Sequence, residues 1–184
     1  MNFNDHYKLE GLHAPFGASK SSWLRYDKEK LVKTYKSLKA KEMGTRLHAF
    51  AAEAINLGID LPKTTNTINM YINDGIGYRM DTEVVLYYSD HFFGTADTIC
   101  FRDKTLRIHD YKSGESGHLE QLRIYAALFC LEYKVNPKDI SIVLQLYRKN
   151  EIEKECPEPE DILSIMNTII KFDKILDKCD EEER

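Results

Sequence analysis

The stretch GTADTICFRDKTLRIHDYKSGES, residues 94–116, reads as two short strands joined by a turn at Asp103-Lys104. Alternate positions, Ile99, Leu106 and Ile108 among them, are apolar and suit the buried side of a sheet. The same hairpin carries Asp97, Asp110 and Lys112, which a purely structural sheet does not require. Positions 110 and 112 are two apart, so their side chains leave one face of a strand. Two carboxylates converging there can hold a hard divalent cation through oxygen. A lysine beside them can orient a water or stabilise charge developing on a phosphate. Taken alone, Asp-Tyr-Lys describes strand-end charges in water equally well.

Upstream of the hairpin, SKSSWLRYDKEKLVKTYKSLKAKEM places apolar residues at helical spacing behind a serine cap. A break is expected at Gly44-Thr45, followed by a second helix, TRLHAFAAEAINLG, ending at Gly58. TTNTINMYINDG suggests a short helix and TEVVLYYS a strand. Downstream, HLEQLRIYAALFCLEY is an apolar helix stopped before Asn136-Pro137. ISIVLQLYR alternates as a strand, EIEKEC offers it a short partner, and an amphipathic helix follows Pro159. The expected order is helices, three strands, helix, strand, helix, in one α/β (α+β) domain.

Four short motifs occur along this order: Gly44-Thr45-Arg46-Leu47-His48, Gly94-Thr95-Ala96-Asp97, Asp110-Tyr111-Lys112 and Gln121-Leu122-Arg123-Ile124-Tyr125. Together they resemble the PD-(D/E)XK nuclease superfamily, in particular its RecB-type branch and the phage-type recombination exonucleases. The resemblance covers about residues 14–147. It implies a restriction-endonuclease-like αβββαβ core, a central mixed sheet flanked by helices. Residues 1–43 would form an N-terminal helical segment, 44–149 the catalytic core and 150–184 an acidic C-terminal helix.

By that resemblance His48, Asp97 and Asp110 would ligate the metal, with the Tyr111 backbone carbonyl completing the shell. Lys112 would act on the attacking water. Gln121 and Tyr125, one helical turn apart and so on one face, would line the site. The expected ion is Mg²⁺, with Mn²⁺ also serving. Iron–sulfur members of the family cluster their cysteines. Cys100, Cys130, Cys156 and Cys179 are widely spaced, so no such cluster is expected. The implied activity is DNA exonuclease, giving a 5′-phosphate and a 3′-hydroxyl. Structure-specific or restriction-like endonuclease activity, and a non-catalytic DNA-binding module, are the alternatives. A homo-oligomeric ring and a single-strand annealing protein are the implied partners beside DNA.

Other residues fit less sharply. Ser19, Ser21, Arg25 and Arg46 offer hydroxyls and guanidinium groups suited to a DNA phosphate. Glu53 and Glu83 stand near the motifs without belonging to them. His109 should face away from Asp110, and Trp23 and the Tyr87-Tyr88 pair read as core residues.

Charge distribution bears on the partner more than the net value of −4. Residues 151–184 hold 12 acidic and 5 basic side chains, whereas residues 20–46 hold 9 basic and 3 acidic. A polyanion would be steered to the basic segment. A solvated helix face explains the same pattern. No apolar run approaches the roughly 18 residues of a membrane span. The polar start MNFNDHYKLEG does not read as a secretory signal. The cysteine pattern suggests a reducing cytoplasm.

Overall fold

The computed structural model describes residues 7–9, 14–114 and 118–182. The chain forms two compact units, Met1–Met43 and Gly44–Arg184. In the first, Ser21–Arg25 make a short 3-10 turn, and Trp23 Nε1 donates to the Gly17 carbonyl at 3.0 Å. Trp23 therefore ties down its own loop instead of filling a core. No serine caps the helix that follows. Asp27 does so, its Oδ1 accepting from the Lys30 amide at 2.7 Å.

Helix α1 (Lys28–Leu57) is a single helix of 30 residues, so the break expected at Gly44-Thr45 is absent. An interior glycine costs a helix only about 1 kcal/mol relative to alanine and removes no hydrogen bond. The lysines, alanines and glutamates around it carry the helix through. A second reason is spatial, since a Cβ at Gly44 would sit 3.2 Å from Ser113 Oγ. The real stop is Gly58, at φ +65°, where the Ile59 amide donates back to the Ala54 carbonyl.

Helix α2 (Thr67–Gly77) is capped by Asn66, whose side chain accepts from the Ile68 amide. Strands β1 (Asp81–Ser89), β2 (Phe92–Arg102) and β3 (Thr105–Lys112) form an antiparallel meander. Asp103 and Lys104, at φ 47° and 56°, make the two-residue turn between β2 and β3. Both central residues with positive φ match the twist of a hairpin. Helix α3 (Leu119–Glu132) then crosses over, so β4 (Ser141–Arg148) lies parallel to β3. Strand β5 (Glu151–Glu155) returns antiparallel to β4, and α4 (Pro159–Glu182) follows. The result is a five-stranded mixed open sheet in the order β1-β2-β3-β4-β5.

Helices cover both faces. On one, Leu122, Ala126 and Phe129 of α3 and Ile162 and Ile169 of α4 pack with Leu86, Ile108 and Leu144. Positions 162 and 169 are two turns apart on α4 and so share a face. Each buried aliphatic side chain contributes about 1.5–3 kcal/mol. On the other, Ala51, Ala54 and Ile55 of α1 and Tyr71 and Ile72 of α2 pack with Tyr111 and Tyr147. Tyr88 packs against the first core, but Tyr87 is exposed and stacks on Phe93, which corrects its reading as a core residue. Among the described residues, no helix is long and apolar enough to cross a membrane.

Candidate active site

The paired part of β2 and β3 runs from Arg102↔Thr105 to Thr98↔His109. Asp97 and Asp110 are the next residues on each strand, where the ladder opens. On the other side of β2 the pairing goes from Thr82↔Thr98 to Val84↔Ala96, passing over Glu83 and Asp97. Glu83 has φ 53°, a left-handed conformation that costs a side-chain-bearing residue energy. Asp97 thus sits where the pairing of β2 with both neighbouring strands is interrupted. Glu83 itself is exposed, as is Glu53.

Four of the expected side chains meet here in pairs. His48 Nδ1, on α1, lies 3.0 Å from Asp97 Oδ2. Lys112 Nζ donates to Asp110 Oδ1 at 3.0 Å. Asp110 is buried, with 1% of its side chain exposed, while Lys112 keeps 26%. Apart from this His48 contact, Asp97 Oδ2 is buried with no hydrogen-bond partner among the described residues, and Asp110 Oδ2 is buried with none. Such oxygens are costly unless positive charge or a donor reaches them.

The titration of the pair follows from that crowding. Burial, then the neighbouring Asp97 charge, push the Asp110 carboxyl up to about 7, against the pull of Lys112. Asp97 is buried too, which opposes ionisation, yet His48, the adjacent Asp110 carboxyl and Lys112 hold it below the usual carboxylate range. His48 is raised by its contact with Asp97, although burial opposes this. Pushing two adjacent carboxylates apart in this way is a pattern found at functional sites.

Helix α3 closes one side. Gln121 Nε2 donates to Tyr125 Oη at 2.8 Å. Burial raises the Tyr125 phenol, and it lies close enough to feel Asp97, Asp110 and Lys112. Gly94 permits this approach, because a Cβ there would meet Tyr125 Cε1 at 2.9 Å. The Tyr111 ring turns to the opposite face of β3, against His48 at 6.1 Å and Tyr71 at 5.9 Å. Its backbone carbonyl stands between Asp110 and Lys112 in the chain. His48 with Asp97, and Asp110 beside Lys112, offer an imidazole and two carboxylates, donor types that suit Mg²⁺ or Mn²⁺.

Ser19, Ser21, Arg25 and Arg46 are exposed. Ser19, Ser21 and Arg25 belong to the first compact unit, whereas Arg46 lies in the second with the carboxylates. His109 is buried on the face of β3 opposite Asp110, against Tyr78 and Tyr147. The four cysteines are free, Cys100 and Cys130 being buried.

Two features escaped the sequence reading. Tyr71, on α2, is buried near Asp97 and Asp110, and burial and those charges raise its phenol far above the usual range. Only the helical spacing of α2 hinted that it faces inward. The second is His91, in the turn between β1 and β2, which meets Asp173 at 3.3 Å and Asp180 at 3.0 Å on α4. Ser89 Oγ also bonds Asp173. Among the described residues, His91, Asp173 and Asp177 are the group of three whose ligand atoms all lie within 4.8 Å of one another. His48, Asp97 and Asp110 meet in pairs and not as so close a triad. Comparison with family models, with curated proteins and with solved structures finds no match.

Proposed function

We propose that this chain is a divalent-metal-dependent DNA nuclease, acting as an exonuclease, on a restriction-endonuclease-like core. The observation that carries the reading is the convergence of His48, Asp97, Asp110 and Lys112, with two buried carboxylate oxygens lacking hydrogen-bond partners. The element order around it also supports the reading: a helix, an antiparallel meander, a crossover helix and a strand parallel to the third.

In this proposal His48, Asp97, Asp110 and the Tyr111 carbonyl hold Mg²⁺ or Mn²⁺. When bound, the ion supplies Lewis-acid polarisation of the phosphate and lowers the pKa of water. Lys112 is fixed by Asp110 at the sheet end, where its ammonium can orient the attacking water and meet developing negative charge. Tyr125, braced by Gln121, walls the site and limits its access to water. Attack in line with the leaving 3′-oxygen leaves the phosphate on the 5′ end. A cation held by these residues would offset the Asp97 charge that, after burial, raises the Asp110 carboxyl.

The test is digestion of end-labelled linear duplex beside a covalently closed circle, with Mg²⁺, Mn²⁺ or EDTA. Metal-dependent loss of the linear DNA alone, abolished by Lys112→Ala, is the expected result. Cutting of the circle would make the enzyme an endonuclease. DNA retention in a gel with no cleavage under any metal would leave a binding module.

A further inference from the structure

Away from the carboxylates, three arginines line one cavity at the hairpin end of the sheet. Arg79, Arg102 and Arg107, with Tyr78 and Asp103, border a space of about 520 Å³. They come from three places: the link from α2 to β1, the end of β2 and the start of β3. Arg102 Nη2 donates to the Arg79 carbonyl at 3.2 Å, which holds the two together. Arg79 itself has φ 51°, a left-handed conformation. The Arg107 guanidinium lies over the Tyr78 ring, 4.4 Å from its centroid.

What these groups lack is a counter-charge. Among the described residues none of the three arginines has a carboxylate within 4.0 Å, although the chain as a whole is acidic. Asp103 borders the cavity without pairing with them. Guanidinium groups stay charged at any relevant pH. Three around one cavity repel each other unless an anion joins them. Each presents a planar fork of donors that matches phosphate oxygens, and most of those donors are unused. Tyr78 adds an aromatic wall, and the volume is that of a small-ligand site. Arg107 leaves the face of β3 opposite to Asp110 and Lys112, so this site is separate from the carboxylates.

We infer that Arg79, Arg102 and Arg107 form a phosphate-binding pocket of mononucleotide size. The phosphate belongs to a free nucleotide or to one residue of a strand passing over the hairpin, and the test separates these sources. Calorimetric titration in EDTA would use dAMP and a short oligothymidylate, with the wild type, Arg102→Gln, Arg107→Gln and Asp103→Asn. Losing a charged donor to phosphate should weaken binding about tenfold or more. Binding of dAMP that falls in both arginine variants supports a nucleotide site. Weakening of the oligothymidylate alone supports a strand contact. Asp103→Asn keeps the left-handed turn, which asparagine tolerates, and should tighten binding about two- to fivefold by removing a repulsive charge. It keeps the idea open to refutation even if an arginine variant misfolds. Affinities for both ligands that do not move across the three variants, or no binding of either by the wild type, overturn the inference.

Discussion

Asp110 carries a stability cost that the proposed activity would explain. It is buried beside another carboxylate, and its folded-state carboxyl is raised to about 7. A carboxyl raised on folding favours the folded state at low pH and works against it as pH rises from about 4 to 7. Asp110→Asn should therefore raise the metal-free melting temperature at pH 8 by a few degrees while abolishing cleavage, as calorimetry and the digestion assay would report. Lys112→Ala should lower the cleavage rate by about 10²–10³-fold with DNA binding retained in a gel shift. His109 has the opposite sign. Both its ring nitrogens are buried without partners, and burial pushes the imidazole down to about 3. Its contribution is fully present above pH 6.5 and is lost as pH falls from there towards 3, by at most about 4–5 kcal/mol. Thermal melts from pH 7 to 4 should fall less steeply for His109→Phe, which keeps an aromatic ring between Tyr78 and Tyr147. An unchanged slope would show that other groups carry the acid sensitivity.

Between elements, the distance at which helix and sheet meet is set by small residues. At Gly94 an added methyl would overlap the Tyr125 ring, so β2 and α3 could not keep their spacing. Gly94→Ala should cost about 1–3 kcal/mol and reduce cleavage, because Tyr125 and Gln121 must move away from the carboxylates. Urea unfolding and digestion rates would test both parts. A variant as stable and active as the wild type would remove Gly94 from any positioning role. In α4, Ile162 is fully buried, and Asp173 and Asp180, 11 and 18 residues further on, fall on the same side of the helix, where they meet His91.

Across the whole molecule, a bound ion should be felt as stability. If His48, Asp97 and Asp110 hold Mg²⁺ or Mn²⁺, a metal concentration about a hundredfold above Kd adds about 2.7 kcal/mol. The melting temperature should then rise by several degrees on adding Mn²⁺ to EDTA-treated protein, and Asp97→Asn should remove most of that rise. The same rise in Asp97→Asn would move the ion elsewhere, His91, Asp173 and Asp177 being the first place to look by substituting His91.

The sequence alone determined what local chemistry determines. Alternation of Ile99, Leu106 and Ile108 against charged neighbours defined the hairpin, and Asp103-Lys104 marked its turn. The spacing of Asp110 and Lys112 put both on one face of β3. Helical periodicity found α3 and α4, because burial of one face leaves a regular trace in the chain. It failed at Gly44, where a weak local preference was overridden by 30 residues of otherwise helix-favouring sequence and by the room needed beside Ser113. Tertiary structure alone decided which distant groups touch. His48 reaches Asp97 and Tyr71 approaches both carboxylates only because α1 and α2 pack beside the open end of the β2–β3 ladder. His91 meets Asp173 across more than 80 positions, and three arginines line one cavity only where α2 and β2 end and β3 begins. Such meetings depend on strand pairing and on the crossover between β3 and β4. They depend too on burial, which together with the neighbouring Asp97 charge turns an ordinary aspartate into one whose proton is held to about pH 7.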